Sequence, residues 1–174
     1  IKPANLKKIN EIEILNIANN NKKFLTAIQR SYAKAPYIEQ IFPILQDIIN
    51  YPDKNLASFI FNHIQKICNY LVIKPKLILS SLIKKNNELK GEEKIINICK
   101  KFNTSIYINA IDGQKLYDKE KFEKEGIKLQ FLQTKTLEYK QFDNHFIPNL
   151  SIIDLMMFNS KNQLKKMLNS YRFI

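Results

Sequence analysis

Residues 104–132 read TSIYINAIDGQKLYDKEKFEKEGIKLQFL, and this stretch decides the predicted fold. Its two ends, residues 104–109 and 127–132, are short apolar or alternating runs that predict strands. Between them, residues 114–117 and 119–124 predict short helices. Because strands that are separated by helices are typical of parallel pairing, the stretch indicates an α/β layer.

The flanking sequence extends this pattern in both directions. Residues 76–80 carry the run Leu77-Ile78-Leu79 and predict a further buried strand. Apolar residues at helical spacing predict helices before and after it, over residues 22–34, 37–48, 56–71 and 91–102, and from Ser151 and Lys161. The predicted fold class is therefore α/β, with a helix-rich N-terminal half followed by a small, mostly parallel sheet flanked by helices. We expect residues 1–174 to form a single domain, as the length suggests.

Composition excludes several classes of protein. Hydrophobic residues make up 45% of the chain, which is typical of a packed core rather than of disorder. No apolar run is long enough for a transmembrane segment, and the start Ile1-Lys2-Pro3 resembles neither a secretory signal nor a transit peptide. We expect the chain to be the middle of a longer cytoplasmic protein. The only cysteines, Cys68 and Cys99, stand in apolar helical settings and predict buried thiols, and with two histidines no metal site is predicted.

The formal net charge of +12 is the strongest compositional signal. It attracts polyanions such as nucleic acid, anionic lipid or phosphorylated substrates. However, lysines recur along the whole chain and only Arg30 and Arg172 are arginines, so the charge also fits a solvated surface shaped by AT-rich codons.

The loop that follows residues 104–109 is the leading candidate for a binding site. In open α/β sheets, ligands lie beyond the carboxyl ends of strands, and helix N-termini bind phosphate. Gly113 would let a ligand approach the backbone, and the other candidate substrate-binding residues of this loop are Asn109, Gln114 and Tyr117. An ordinary turn at Asp112-Gly113 explains the same residues equally well.

Ser80 and Ser81 end the strand predicted at residues 76–80, which is the equivalent position, so we expect them to lie close to Gly113 at the same edge of the sheet. Their hydroxyl groups are candidates for binding a phosphate, and Lys84, Lys85 or Lys115 would add positive charge. A helix or turn cap is the alternative.

Two residues are weak catalytic candidates. Asp154 is three positions after Ser151 in a capping-box pattern, so helix capping competes with a catalytic role. His145 has the side chain most often used as a general base, with Asp143 as an orienting partner, although a surface loop explains it too. His63, among apolar residues, is expected to be a packing residue.

Several segments in order along the chain resemble the WbqC-like proteins of bacterial surface-polysaccharide biosynthesis. They are residues 9–14, 33–37, 42–43, 79–81, 89–91, 95–99, 107–118, 122, 126–127, 139–142 and 150–154. Family members begin with Gln-Pro-x-x-Phe-x-Pro, which this chain lacks, so the domain is expected to be incomplete at its N-terminus. The family usually has a pair of glycines where this chain has Asp112-Gly113.

The resemblance implies a cytoplasmic role in the synthesis of O-antigen or a related glycan. The leading hypothesis is a group-transfer enzyme, or a fragment of one, acting on nucleotide-linked sugars or other phosphorylated small molecules. The alternatives are a basic nucleic-acid-binding module, for which no specific recognition motif is present, and a non-catalytic partner of other glycan-biosynthesis proteins. No cofactor is indicated.

Overall fold

A computed structural model describes residues 7–15, 18–142 and 145–174, with the backbone alone at positions 18 and 19. The chain divides into two compact units. The first comprises Ile1–Leu79 and Leu137–Met167, and the second comprises Ser80–Thr136 and Leu168–Ile174. The prediction of one domain over residues 1–174 stays a prediction.

The first unit is helical. Its helices are α1 (Ala18–Ser31), α2 (Ile38–Ile49), α3 (Leu56–Leu71), α6 (Ile152–Phe158) and α7 (Lys161–Met167), preceded by a 3₁₀ turn at Ile9–Glu11. Their apolar faces meet in one core, whose buried members are Leu25, Ala35, Ile41, Leu45, Tyr70, Leu71, Met156, Met157 and Leu164. The predicted helices of this unit are confirmed, and α1, α2 and α3 each bury an apolar stripe in this core.

Local signals define the ends of α3. The Asn55 side chain caps its first turn by accepting hydrogen bonds from the backbone NH groups of Ala57 and Ser58. Its C-terminus is closed by Val72 in the left-handed conformation, with φ 59° and ψ 37°. A β-branched residue is rare there, so this cap is strained.

The second unit contains the sheet. Its elements are α4 (Gly91–Lys101), β1 (Ile106–Ala110), α5 (Lys119–Lys124), β2 (Lys128–Thr134) and β3 (Tyr171–Phe173), with 3₁₀ turns at Ser80–Leu82 and Ile111–Lys115. The strand order is β1-β2-β3. β1 pairs with β2 in parallel, with Tyr107 opposite Leu129, and β2 pairs with β3 in antiparallel fashion. The α/β class and the parallel pair are thus confirmed, and the sheet is mixed.

A buried cluster holds α4 and α5 against one face of the sheet. Its members are Cys99, Phe122, Ile127, Leu129 and Phe131. Cys99 is buried as predicted, whereas Cys68 on α3 is half-buried; both thiols are free. Burial raises the pKa of the Cys99 thiol, which keeps it protonated near neutral pH.

The strand predicted at residues 76–80 is wrong. Residues 76–79 have no regular structure, Ser80–Leu82 form a 3₁₀ turn, and Ile78 is 42% exposed. A strand needs a neighbouring strand for its backbone hydrogen bonds, and local composition does not reveal whether one is available. The sequence analysis did not predict β3. Its three residues carry no recognisable strand pattern and form a strand only because β2 lies beside them as a hydrogen-bonding partner.

Candidate functional site

The loop after β1 packs closely against its own sheet. Gly113 is buried in the 3₁₀ turn Ile111–Lys115, and a Cβ added there would lie 2.7 Å from Asn109 Nδ2 and 3.3 Å from Phe131 Cε1. The Asn109 Oδ1 atom accepts a hydrogen bond from the Ala110 NH at 2.8 Å. The missing side chain of Gly113 therefore makes room for the side chains of Asn109 and Phe131, whereas the sequence analysis expected it to make room for a ligand.

The other two loop candidates differ in exposure. Gln114 is exposed, whereas Tyr117 is half-buried and lies edge-on to the rings of Tyr107 and Phe122 at 6.2 and 6.1 Å. Burial, with added repulsion from Tyr117, raises the pKa of Tyr107 to about 12. Tyr117 thus contributes to the packing of the second unit. Ligand binding by this loop stays a prediction.

Ser80 and Ser81 lie in the 3₁₀ turn Ser80–Leu82, and both are exposed. The Lys85 ammonium group donates a hydrogen bond to the Ser80 carbonyl oxygen. Because no strand ends at these serines, the expectation that they share a sheet edge with Gly113 loses its premise. Phosphate binding by their hydroxyl groups stays a prediction that now rests on their exposure.

The two histidines are placed differently. His145 is exposed, and its predicted orienting partner Asp143 lies outside the described residues. His63 is half-buried on α3 with its ring edge-on to Phe59 at 6.1 Å. Burial lowers the pKa of His63, which favours the neutral imidazole, as expected of a packing residue.

Asp154 is the most buried charged candidate, with only 4% of its surface exposed. It lies in the first turn of α6, where the Ser151 hydroxyl oxygen accepts a hydrogen bond from the Ile153 NH at 3.3 Å. Capping of the helix by Ser151 is therefore confirmed. The reciprocal capping-box contact of Asp154 is wrong, because its carboxylate is engaged by side chains from two other segments.

Three donors converge on the Asp154 carboxylate. The Tyr32 hydroxyl donates to Oδ1 at 2.8 Å, and the Tyr139 hydroxyl donates to Oδ2 at 2.5 Å. The Gln141 amide also donates to Oδ2, at 3.3 Å. Each carboxylate oxygen can accept two hydrogen bonds, so these contacts leave one acceptor position on Oδ1. We call Asp154, Tyr32, Tyr139 and Gln141 the Asp154 cluster.

Burial and the neighbouring carboxylate keep both tyrosines protonated. Burial, and then the hydrogen bond to Asp154, raise the pKa of Tyr139 to about 12. The same two causes raise the pKa of Tyr32 well above its usual range. Near neutral pH both hydroxyl groups are therefore fixed donors, which hold the carboxylate in one orientation.

The surroundings of the cluster are ordered and aromatic. Gln141 is 9% exposed and bonds both backbone groups of Ile147, accepting from its NH at 2.8 Å and donating to its carbonyl at 3.0 Å. Phe142 lies edge-on to Phe158 at 4.7 Å and remains 47% exposed. Apolar rings around a carboxylate reduce its access to water and strengthen its hydrogen bonds.

Sequence reasoning identified Asp154 but missed its partners. Tyr139 and Gln141 stand two positions apart, a spacing that puts both side chains on one side of an extended segment. That spacing was an available signal. Tyr32 is 122 positions from Asp154, and no local pattern connects the two.

The described residues form neither a metal site nor a membrane span. No group of three or more His, Cys, Asp or Glu side chains among them is placed to hold a metal ion. Within the same residues, no helix is both long and apolar enough to cross a bilayer.

Comparison with known proteins identifies one relationship. Residues 1–166 match the family model described as the WbqC-like protein family. No curated protein and no solved structure matches the chain.

Proposed function

Because the chain belongs to the WbqC-like protein family, we propose that it takes part in the synthesis of O-antigen or a related bacterial surface polysaccharide. In this proposal it works in the cytoplasm and transfers a group to an amino or hydroxyl position of a nucleotide-linked sugar. The family relationship supports the general role. The observation that carries the chemistry is the buried Asp154 carboxylate, which is oriented by two tyrosine hydroxyl groups.

The proposed role of Asp154 is that of general base. An acceptor hydroxyl or amino group would donate its proton to the remaining acceptor position on Oδ1. As that proton leaves, the acceptor oxygen or nitrogen forms a bond to the transferred group, whose bond to an activated donor breaks with its electron pair on the leaving group. Tyr32 and Tyr139 position the carboxylate and keep their own protons.

Substrate binding was predicted for a second set of residues, in the other unit. They are Ser80, Ser81, Asn109, Gly113, Gln114 and Tyr117. The exposure of both serines and of Gln114 supports access for a phosphorylated ligand, whereas the packing of Gly113 and Tyr117 favours a structural role for those two. His145 is exposed and stays the weaker catalytic candidate.

The test incubates the protein with a panel of nucleotide-linked sugars and activated acyl or glycosyl donors. Mass spectrometry then detects any product that carries the transferred group. We expect Asp154→Asn to abolish product formation while the protein stays folded. The matched control is Asp47→Asn, because Asp47 is an exposed carboxylate of the same unit that pairs with Lys66 at 3.0 Å. Full turnover by folded Asp154→Asn would exclude Asp154 as the base, and the absence of any product from the wild type would count against the transferase proposal.

A nucleic-acid-binding module is the first alternative, favoured by the net charge of +12. Scattered lysines attract a polyanion mainly through counterion release, which weakens steeply as salt increases. We therefore expect DNA binding to be weak and lost at modest salt in a titration followed by fluorescence anisotropy. Sequence-specific binding that survives near-physiological salt would favour the alternative.

A non-catalytic partner in a glycan-assembly complex is the second alternative. It is favoured by the apolar side chains on the sheet of the second unit, where Ile106 and Ile108 are 47% and 46% exposed. Co-purification with enzymes encoded beside the gene, in the absence of turnover, would support this role.

A further inference from the structure

Helix α1 of the first unit carries a strongly basic surface. Its 14 residues include Lys22, Lys23 and Arg30 and contain no carboxylate. Lys23 and Arg30 are seven positions apart and lie on one face of the helix, whereas Lys22 lies about 100° around the axis from Lys23. A shallow hollow of about 360 Å³ lies along this face, lined by Lys22, Lys23, Thr26, Ala27 and Arg30.

A second hollow lies between α1 and α2. It has a volume of about 320 Å³ and is lined by Lys22, Leu25, Thr26, Gln29, Phe42, Gln46 and Asn50. Gln29, Gln46 and Asn50 are exposed, whereas Phe42 is half-buried. The two hollows are contiguous, because Lys22 and Thr26 line both.

The chemistry of the two hollows is complementary. Three side-chain amides and one hydroxyl group offer both donors and acceptors, which suits the hydroxyl groups of a sugar, and Phe42 offers an apolar ring. Lysine and arginine groups bind phosphate through charge-assisted hydrogen bonds. A molecule that joins a sugar to a phosphate would therefore find a suitable surface for each part.

Helix α2 also contains two acidic residues, Glu39 and Asp47, whose negative charges would repel a bound phosphate. Asp47 is paired with Lys66 of α3, which reduces its repulsion of a phosphate. Glu39 is exposed and lies two helical turns before Gln46. Neither residue lines either hollow.

We propose that the contiguous hollows on α1 and between α1 and α2 bind a phosphorylated sugar, with its phosphate at Lys22, Lys23 and Arg30 and its sugar at Gln29, Gln46 and Asn50. This ligand class deepens the proposed function and rests on it for the biological identity of the sugar. The binding surface itself rests only on residues of the first unit. It is independent of the residues predicted after β1.

The test is calorimetric titration of the full chain with four probes: UDP-N-acetylglucosamine, glucose 1-phosphate, inorganic phosphate and N-acetylglucosamine. We expect the two phosphorylated sugars to bind more tightly than either phosphate or sugar alone. The double variant Lys22→Ala, Arg30→Ala should weaken binding of the phosphorylated sugars by about tenfold or more, because it removes two of the three cations proposed to contact the phosphate. Gln46→Ala should weaken the phosphorylated sugars and leave inorganic phosphate unchanged.

The matched control is the double variant Lys34→Ala, Lys74→Ala, which removes the same net charge from exposed positions of the same unit. It should bind all four probes as the wild type does. Equal loss in both double variants would show that only bulk charge acts and would overturn the site, as would wild-type affinity in Lys22→Ala, Arg30→Ala. Circular dichroism checks that each variant is folded.

These outcomes separate the binding surface from the proposed reaction. Binding that depends on Lys22, Arg30 and Gln46 supports the surface even when no product forms, a result that counts against the transferase. If turnover requires Asp154 but the double variant Lys22→Ala, Arg30→Ala binds the phosphorylated sugars with wild-type affinity, the transferase proposal is supported and the proposed binding surface is overturned. Tight binding of a single-stranded DNA oligonucleotide without any binding of the two phosphorylated sugars would overturn it as well.

Discussion

Replacing Tyr139 or Tyr32 by phenylalanine removes one hydroxyl donor from the Asp154 carboxylate and keeps the aromatic ring. The two hydrogen bonds measure 2.5 and 2.8 Å, and Asp154 is 4% exposed. A hydrogen bond to a charged group contributes about 1.5–3 kcal/mol to the free energy of unfolding. We expect each single variant to lose about that amount.

Tyr32→Phe should be at least as costly as Tyr139→Phe, because it leaves one buried oxygen of Asp154 without an observed donor. When Tyr139 is replaced, Oδ2 retains only the 3.3 Å contact with Gln141, whose amide also donates to the Tyr139 oxygen at 3.2 Å in the intact protein. When Tyr32 is replaced, Oδ1 loses its one observed donor. Because both hydroxyls serve one carboxylate, the double variant should deviate from the sum of the single variants by about 0.5 kcal/mol or more.

Urea unfolding followed by far-ultraviolet circular dichroism measures these losses. The matched control is Tyr51→Phe, since Tyr51 is a half-buried tyrosine of the same unit outside the Asp154 cluster. We expect the control to stay within about 0.5 kcal/mol of the wild type. Losses below that value in both Tyr139→Phe and Tyr32→Phe would refute the inference that the cluster holds the carboxylate.

Three other predictions concern stability. Gly113→Ala should lower the free energy of unfolding by about 1–3 kcal/mol, because its Cβ would lie 2.7 Å from Asn109 Nδ2. Adding Asn109→Ala should recover part of this loss, and simple additivity of the two changes would contradict the contact. The fold raises the pKa of Tyr139 from its usual 10.0 to about 12, so its contribution to the free energy of unfolding should be complete below pH 10 and be lost as the pH rises toward about 12. Tyr139→Phe should make the free energy of unfolding depend less on pH in this range, and an unchanged pH profile would contradict the prediction. Val72→Gly should raise the free energy of unfolding by about 1 kcal/mol, because glycine adopts the left-handed conformation at the C-terminus of α3 without strain. Val72→Ala is the control that keeps a Cβ, and equal effects of the two changes would exclude backbone strain as the cause.

Residue patterns predicted the elements whose stability depends on local periodicity. The amphipathic stripes of α2 and α3 indicated helices, and the runs at residues 104–109 and 127–132 indicated the parallel pair β1 and β2. The motif segments indicated the WbqC-like family, which the family model confirms over residues 1–166. In each case the signal lies within one segment or in the order of segments, and both are properties of the chain alone.

Only the tertiary structure decided features that depend on pairing between distant segments. Residues 76–79 have strand-like composition but no ladder partner, whereas the three residues of β3 form a strand because β2 supplies one. The roles of Asp154 and Gly113 changed for the same reason: Tyr32 meets the Asp154 carboxylate from 122 positions away, and Asn109 fills the space beside Gly113. The surface formed by α1 and α2 likewise exists only after the helices pack, although the run of cations without acids in α1 was visible in the sequence. Hydrogen bonds and close packing act over a few ångströms of space, so a chain specifies them only through the fold that brings its distant residues together.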